Sequence, residues 1–213
     1  YGMVGGNGED GPVAIGTSEG KGCAFAMPTC TATTWNIDLA YAMGAATGDE
    51  AVYGGTELWW GPALNIHRNA GGGRNFEYYS EDPFLTGQTA AYVIKGAQEH
   101  GLICCMKHFA ANDQETGRRS IMTFCSEQYL REVALNAFEE TVKVGGANSV
   151  MTSYNCIGTM WAGGHEGLIN QILREEWGAD GYIVTDAYEG GYMDVVNMVL
   201  AGADSILTTK GFT

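Results

Sequence analysis

Apolar and polar positions alternate in blocks along the chain. Short apolar runs at 57–60, 102–106 and 148–152, then Tyr182-Ile183-Val184, then 204–207, are each too short for a helix and rich in β-branched or aromatic residues, the pattern of buried strands. Between them lie longer stretches with apolar positions at helical spacing. One runs from Asn36 to about Tyr53, with Ile37, Ala40, Tyr41, Ala45 and Val52 on one side and Asn36 as cap. Another opens at Asp82-Pro83, a cap followed by proline at the first helical position, and carries Tyr92, Val93 and Ala97 to Gly101. A third, 127–144, starts at Ser126, stops at Gly145-Gly146 and turns Leu130, Val133, Ala134, Ala137, Phe138 and Val142 inward. Helices at 168–177 and 193–200 complete the set. Strands and helices strictly alternate with short links, which predicts a parallel sheet with right-handed crossovers.

Polar residues with chemical capacity collect where these runs end. Lys107-His108 follows one strand, Ser153-Tyr154-Asn155 another, and Asp186 a third. A barrel gathers the C-terminal strand ends on one face, whereas an open doubly wound sheet gathers them only at a switch point. The expected fold is therefore an α/β barrel of the (β/α)8 TIM type. At 213 residues the chain falls short of the roughly 250 of a complete barrel, so one incomplete barrel domain, 1–213, cut from a longer protein, is expected.

Composition narrows the function. Lys+Arg 11 against Asp+Glu 25 gives a net charge of −14, which argues against nucleic acid, because polyanions are held by clustered cations. No apolar run approaches the roughly 20 residues of a membrane span. The six cysteines show no zinc or disulfide spacing; Cys104-Cys105 fits two small buried residues, which favours a reducing, cytoplasmic setting over a secreted one. No metal or organic cofactor is called for. Gly6-Asn7-Gly8-Glu9-Asp10-Gly11 matches a dinucleotide-binding pattern, but no strand precedes it and Pro12 follows, so it is expected to be a loop presenting Asp10.

The candidate chemistry centres on Asp186, either a nucleophilic carboxylate or the cap of the next helix. Around it stand Asp10, Arg74, Lys107, His108 and Tyr154. Arg74 sits beside three consecutive glycines, Gly71-Gly72-Gly73, where a backbone can approach a ligand; alternatively it pairs with Glu77 or Glu81. Two carboxylates with cationic and imidazole donors suit a hydroxyl-rich ligand. Lys107 and Arg74 are expected to hold Asp186 ionised, and Tyr154 to orient it.

The chain resembles the catalytic barrel of glycoside hydrolase family 3, chiefly β-glucosidases. The resemblance rests on Gly61-Pro62-Ala63-Leu64-Asn65-Ile66-His67-Arg68, on Gly72-Gly73-Arg74-Asn75-Phe76-Glu77-Tyr78-Tyr79-Ser80-Glu81-Asp82-Pro83, on Lys107-His108-Phe109-Ala110-Ala111-Asn112 with Gln114-Glu115, on Met151-Thr152-Ser153-Tyr154-Asn155, and on Val184-Thr185-Asp186. It implies a retaining, exo-acting β-glucosidase in which Asp186 forms a covalent glycosyl intermediate and Asp10, Arg74, Lys107, His108 and Tyr154 line the subsite of the terminal sugar. It also implies a second, α/β sandwich domain supplying the acid/base carboxylate, which a retaining mechanism places about 5–5.5 Å from the nucleophile. Glu189 is expected to start the next helix rather than fill that role. Two departures from the family pattern bear on substrate. Ala187 and Tyr188 stand where tryptophan often follows the nucleophile, and Asn112-Asp113-Gln114-Glu115 lacks the histidine loop of the N-acetylglucosaminidase branch. A β-xylosidase or β-N-acetylhexosaminidase is the runner-up within the family. Outside it, a Schiff-base aldolase or lyase on Lys107 and a non-catalytic sugar-binding barrel are the rivals.

Overall fold

The computed structural model describes residues 8–11, 13–16 and 22–208. Six strands form one sheet in chain order, every neighbouring pair parallel: β1 (Gly8–Glu9), β2 (Leu58–Trp59), β3 (Ile103–Phe109), β5 (Ser149–Thr152), β8 (Tyr182–Ala187) and β9 (Ser205–Leu207). Sequential order with a helix in each long crossover is the winding of a (β/α) barrel, and the sheet curls as a partial barrel. A separate small sheet joins β4 (Met122–Thr123) to the hairpin β6 (Cys156–Ile157) and β7 (Met160–Trp161).

The caps act as the sequence predicts. Asn36 accepts from the Leu39 amide to start α2 (Ile37–Tyr53), and Asp82 from Leu85 to start α3 (Pro83–Glu99). A short α1 (Pro28–Ala32) precedes them. The expected single helix at 127–144 is instead α4 (Glu127–Tyr129), a wide π turn at Leu130–Ala134, and α5 (Asn136–Lys143); periodicity marks the buried face but cannot register one inserted residue. The next helix, Gly167–Glu176, is likewise of π type. The last, α6 (Val195–Leu200), starts later than expected, because Asp194 caps it through the Val196 and Asn197 amides.

The two faces of the sheet bury different side chains. Cys104, Met106, Val150 and Ile183 join the main core beneath the helices. Cys105, Met151 and Val184, one residue along each strand, form a second cluster on the inner face. Period-two alternation then places Lys107 beyond Cys105 and Asp186 beyond Val184 on that inner face.

Helices α2 and α3 approach so closely that a Cβ on Gly44 would lie 2.0 Å from the Val93 carbonyl oxygen, and one on Gly96 2.2 Å from that of Tyr41. Both obstacles are backbone, which cannot rotate away. Gly44→Ala is therefore expected to destabilise by about 1–3 kcal/mol, as overpacking does. In a thermal melt that is a Tm drop of roughly 2–12 °C.

Candidate active site

Lys107 and His108 lie within β3, and Asp186 within β8, rather than just beyond the strand ends. The ladder continues under them: the Lys107 amide donates to Pro62 (3.0 Å), its carbonyl accepts from Leu64 (2.6 Å), and Tyr188 donates to Leu207 (2.7 Å). Likewise Gly8–Glu9 is not loop but strand, pairing with Leu58 and Trp59, and this short pairing positions Asp10 at the rim. Gly6, Asn7 and Pro12 lie outside the described residues.

The register of β3 against β5 is irregular between Met106 and Phe109, and such an irregularity re-aims side chains. Lys107 and the adjacent His108 consequently both serve the inner face. The Lys107 Nζ lies 2.6 Å from Asp10 Oδ1 and 3.6 Å from Glu77 Oε1. Arg74 grips the same Glu77 with two bonds, Nε to Oε2 at 2.8 Å and a terminal nitrogen to Oε1 at 2.7 Å. It also stands 3.8 Å from Glu115, itself 3.0 Å from Arg118. Cations and carboxylates thus alternate from Asp10 to Arg118. The alternative pairing foreseen for Arg74 is realised with Glu77, yet Glu77 also ties Arg74 to Lys107, so the pairing builds the site instead of removing Arg74 from it. Burial opposes charge on Arg74, but its bonds with Glu77 prevail and hold the guanidinium firmly protonated.

His108 is nearly inaccessible, at 2%. Burial, and after it the charges of Arg74, Lys107 and Arg118, push its pKa well below the ordinary value, so the imidazole is neutral. Asn65 fixes its hydrogen: the amide nitrogen of Asn65 donates to the His108 carbonyl (3.0 Å), leaving Asn65 Oδ1 to accept from the His108 backbone (2.9 Å) and to face Nδ1 at 3.4 Å. The proton therefore belongs on Nδ1. Nε2, 3.8 Å from Asp186 Oδ2, carries a lone pair; the two make no ion pair, and Nε2 can accept a hydrogen bond.

Asp186 is 14% exposed at its side chain. Burial raises its pKa; the Ala187 amide, which donates to Oδ1 at 2.7 Å, and then Arg118, Arg74 and Lys107 offset part of that rise. Lys107 and Arg74 do favour the ionised form of Asp186, as expected, but burial is the larger effect, because the guanidinium and the amine already face nearer carboxylates. Tyr154 acts one residue away from the expected place. Its hydroxyl donates to the Ala187 carbonyl at 2.8 Å, so Ala187, next to Asp186, is engaged through both its N–H and its C=O. Arg118 lies 4.5 Å over the Tyr154 ring and Arg119 5.6 Å. Glu189 starts no helix; it pairs with Arg119. Asp10, Lys107 and Arg74 are joined through Glu77, His108 faces Asp186, and Tyr154 reaches the same neighbourhood through the Ala187 carbonyl, so the six residues singled out from sequence gather around one end of the sheet. Glu77, Glu115 and Arg118 complete the chain of charges; the sequence points to Glu77 only as an alternative partner of Arg74 and to neither of the others as a site residue, although each lies near a candidate in a polar loop.

The sequence matches the N-terminal domain of glycosyl hydrolase family 3 over residues 7–208. The chain belongs to this family. It is similar to beta-glucosidase A of Butyrivibrio fibrisolvens, 40% identical over 198 residues, 92% of this chain and 24% of that protein. Among solved structures, beta-glucosidase 3B from Thermotoga neapolitana in complex with glucose superposes with a TM-score of 0.88 at 41% identity, over 93% of this chain and 29% of that one. The family 3 beta-glucosidase of Bifidobacterium adolescentis gives 0.92 at 34% identity, over 97% and 30%. The chain spans about a quarter of the length of the curated relatives it matches, and the partial barrel is the family 3 N-terminal fold.

Proposed function

We propose that this chain is the sugar-binding and nucleophile-bearing part of a retaining, exo-acting β-glucosidase. The observation that carries the reading is Asp186, a largely buried carboxylate clamped at Oδ1 by a backbone amide and facing the neutral acceptor His108, beside a continuous row of paired charges. A hydroxyl-rich ring finds acceptors in His108, Glu77 and Asp10 and donors in Lys107, Arg74 and Arg118. Once ionised, Asp186 attacks the anomeric carbon, the aglycone leaves as a proton arrives from a second carboxyl group, and water then releases the sugar. That second group is assigned to the further domain of the whole protein, since Glu189, the near candidate, is engaged with Arg119. The names of the relatives favour glucose over xylose or an N-acetylated sugar.

Incubating the full-length protein with an activated 2-deoxy-2-fluoro-β-glucoside tests this directly, because the slowed second step accumulates the intermediate. Peptide mapping by mass spectrometry is expected to find the fluoroglucosyl mass on the peptide containing Asp186. A label on another carboxylate, or turnover without any trapped species, overturns the assignment.

A further inference from the structure

One ion pair at this end of the sheet stands outside the row of charges that runs from Asp10 to Arg118. Arg119 leaves the turn 117–120, which the Ser120 amide and hydroxyl close on the Gly117 carbonyl. It pairs with Glu189, two residues beyond the end of β8. Tyr154, just beyond β5, comes between them: Arg118 lies 4.5 Å and Arg119 5.6 Å over its ring, and its hydroxyl reaches the Ala187 carbonyl. Strands β3, β5 and β8 are successive neighbours in the sheet. The pair therefore joins the loops of the outer two strands across a residue of the middle one.

The chain around Glu189 has few other anchors. Gly190 and Gly191 both lie in the left-handed region, at φ 77° and 64°, and a Cβ on either would meet nothing within 4 Å among the described residues. Close packing does not confine the backbone there. Upstream, the Tyr188 amide bonds to Leu207. The Ala187 amide, which donates to Asp186 Oδ1 at 2.7 Å, thus sits in a segment held by the Leu207 bond, by the Tyr154 hydroxyl and by the pair of Arg119 with Glu189. Both side chains of that pair are open to water, at 57% and 35%, so its worth to stability is small. Its worth to rate can be larger, because an attacking group tolerates little misplacement.

We infer that Arg119 and Glu189 are positioning residues, whose pairing across Tyr154 ties the β3 and β8 loops together and keeps the Ala187 amide on Asp186 Oδ1. This role rests on the glycosidase reading, and the test separates the two. With the full-length protein and a chromogenic aryl β-glucoside, kcat/KM is measured for Arg119→Ala, Glu189→Ala and the double variant. Each is expected to fall about tenfold, the double no further than either single, because both singles break one unit. Arg119→Lys, which can still pair, is expected to recover most of the rate. The inhibition constant of glucose should stay within about twofold of the parent's, and the melting temperature should not change. The acid limb of kcat/KM separates positioning from bare charge. Loosening the Ala187 amide removes a bond that favours ionised Asp186, so both single variants are expected to move the limb to higher pH. As charges alone they would move it in opposite directions, up on loss of the cation and down on loss of the anion. Arg118, Arg74 and Lys107, with the neutral His108, Tyr154 and Cys105, also act on Asp186 and are the same in every variant. Unchanged kcat/KM, additive losses, opposite shifts of the limb, or a loss matched by a fall in melting temperature and in glucose binding each overturn the positioning role and leave the glycosidase reading standing. Failure of the unaltered protein to hydrolyse the glucoside overturns both.

Discussion

Asp186→Ala is expected to abolish glucoside hydrolysis, by on the order of 10⁴-fold or more in kcat, the scale on which removal of a nucleophile acts. It should do so without destabilising the domain, and the sign follows from the carboxylate's setting. Burial raises the folded pKa of Asp186 above its ordinary value, so whatever the group contributes to stability is present at low pH and lost as pH rises through the folded pKa. At neutral pH the ionised carboxylate is a cost carried for function, of the kind active sites often hold. Asp186→Ala or Asp186→Asn is accordingly expected to melt at the same temperature as the parent or higher. The same shift puts the acid limb of the kcat/KM profile above the range of an exposed aspartate, since only the ionised form attacks. Wild-type-like turnover by the variant sinks the assignment of Asp186 as nucleophile. Lost activity accompanied by a large fall in Tm would instead make its role structural.

Half of the candidates, Lys107, His108 and Asp186, are legible because they sit on strands, whereas Asp10, Arg74 and Tyr154 lie in polar clusters outside them. A short apolar run ending in a polar residue identifies a buried strand and the direction its last side chains face, which is why Asp186 and Lys107-His108 could be found from pattern alone. Partners brought in from loops were harder, because nothing local fixes a loop's path. Arg74 was identified, yet its grip on Glu77 and through it on Lys107 depends on how 65–82 folds over β3, and Arg118 depends on a turn that Glu115 and Tyr154 hold from outside. Charge balance follows the same rule: Lys107 and Arg74 favour the charged form of Asp186, but each faces a nearer carboxylate, so desolvation prevails. The helices were legible at their caps and not in their interiors, where the π turn at Leu130–Ala134 leaves no composition signal. The order of the five longer-range strands followed from alternation, but the two-residue β1 and the small sheet of β4, β6 and β7 are too short to leave a period.

Lys107→Ala is expected to weaken sugar binding by about 1.5–3 kcal/mol, the range for a lost charge-assisted hydrogen bond, or roughly tenfold to a hundredfold in affinity. The amine is only 3% exposed yet makes ion pairs with Asp10 and Glu77, so its loss also frees two acceptors. Asp10 is open to water and is rehydrated. Glu77 keeps its two bonds from Arg74, so the fold should tolerate the change, and Lys107→Met keeps the buried methylene stem as a control for packing. Binding of glucose, followed by calorimetry on the full-length protein, reads the loss without relying on turnover. Unchanged affinity in both variants would remove Lys107 from the subsite. The same residue separates the glycosidase from its Schiff-base rival: an amine that binds hydroxyls through its hydrogens leaves no covalent trace, so borohydride reduction in the presence of a carbonyl substrate is expected to yield no adduct at Lys107. A trapped secondary amine there would reassign the barrel to carbon–carbon bond chemistry and make Asp186 its accessory.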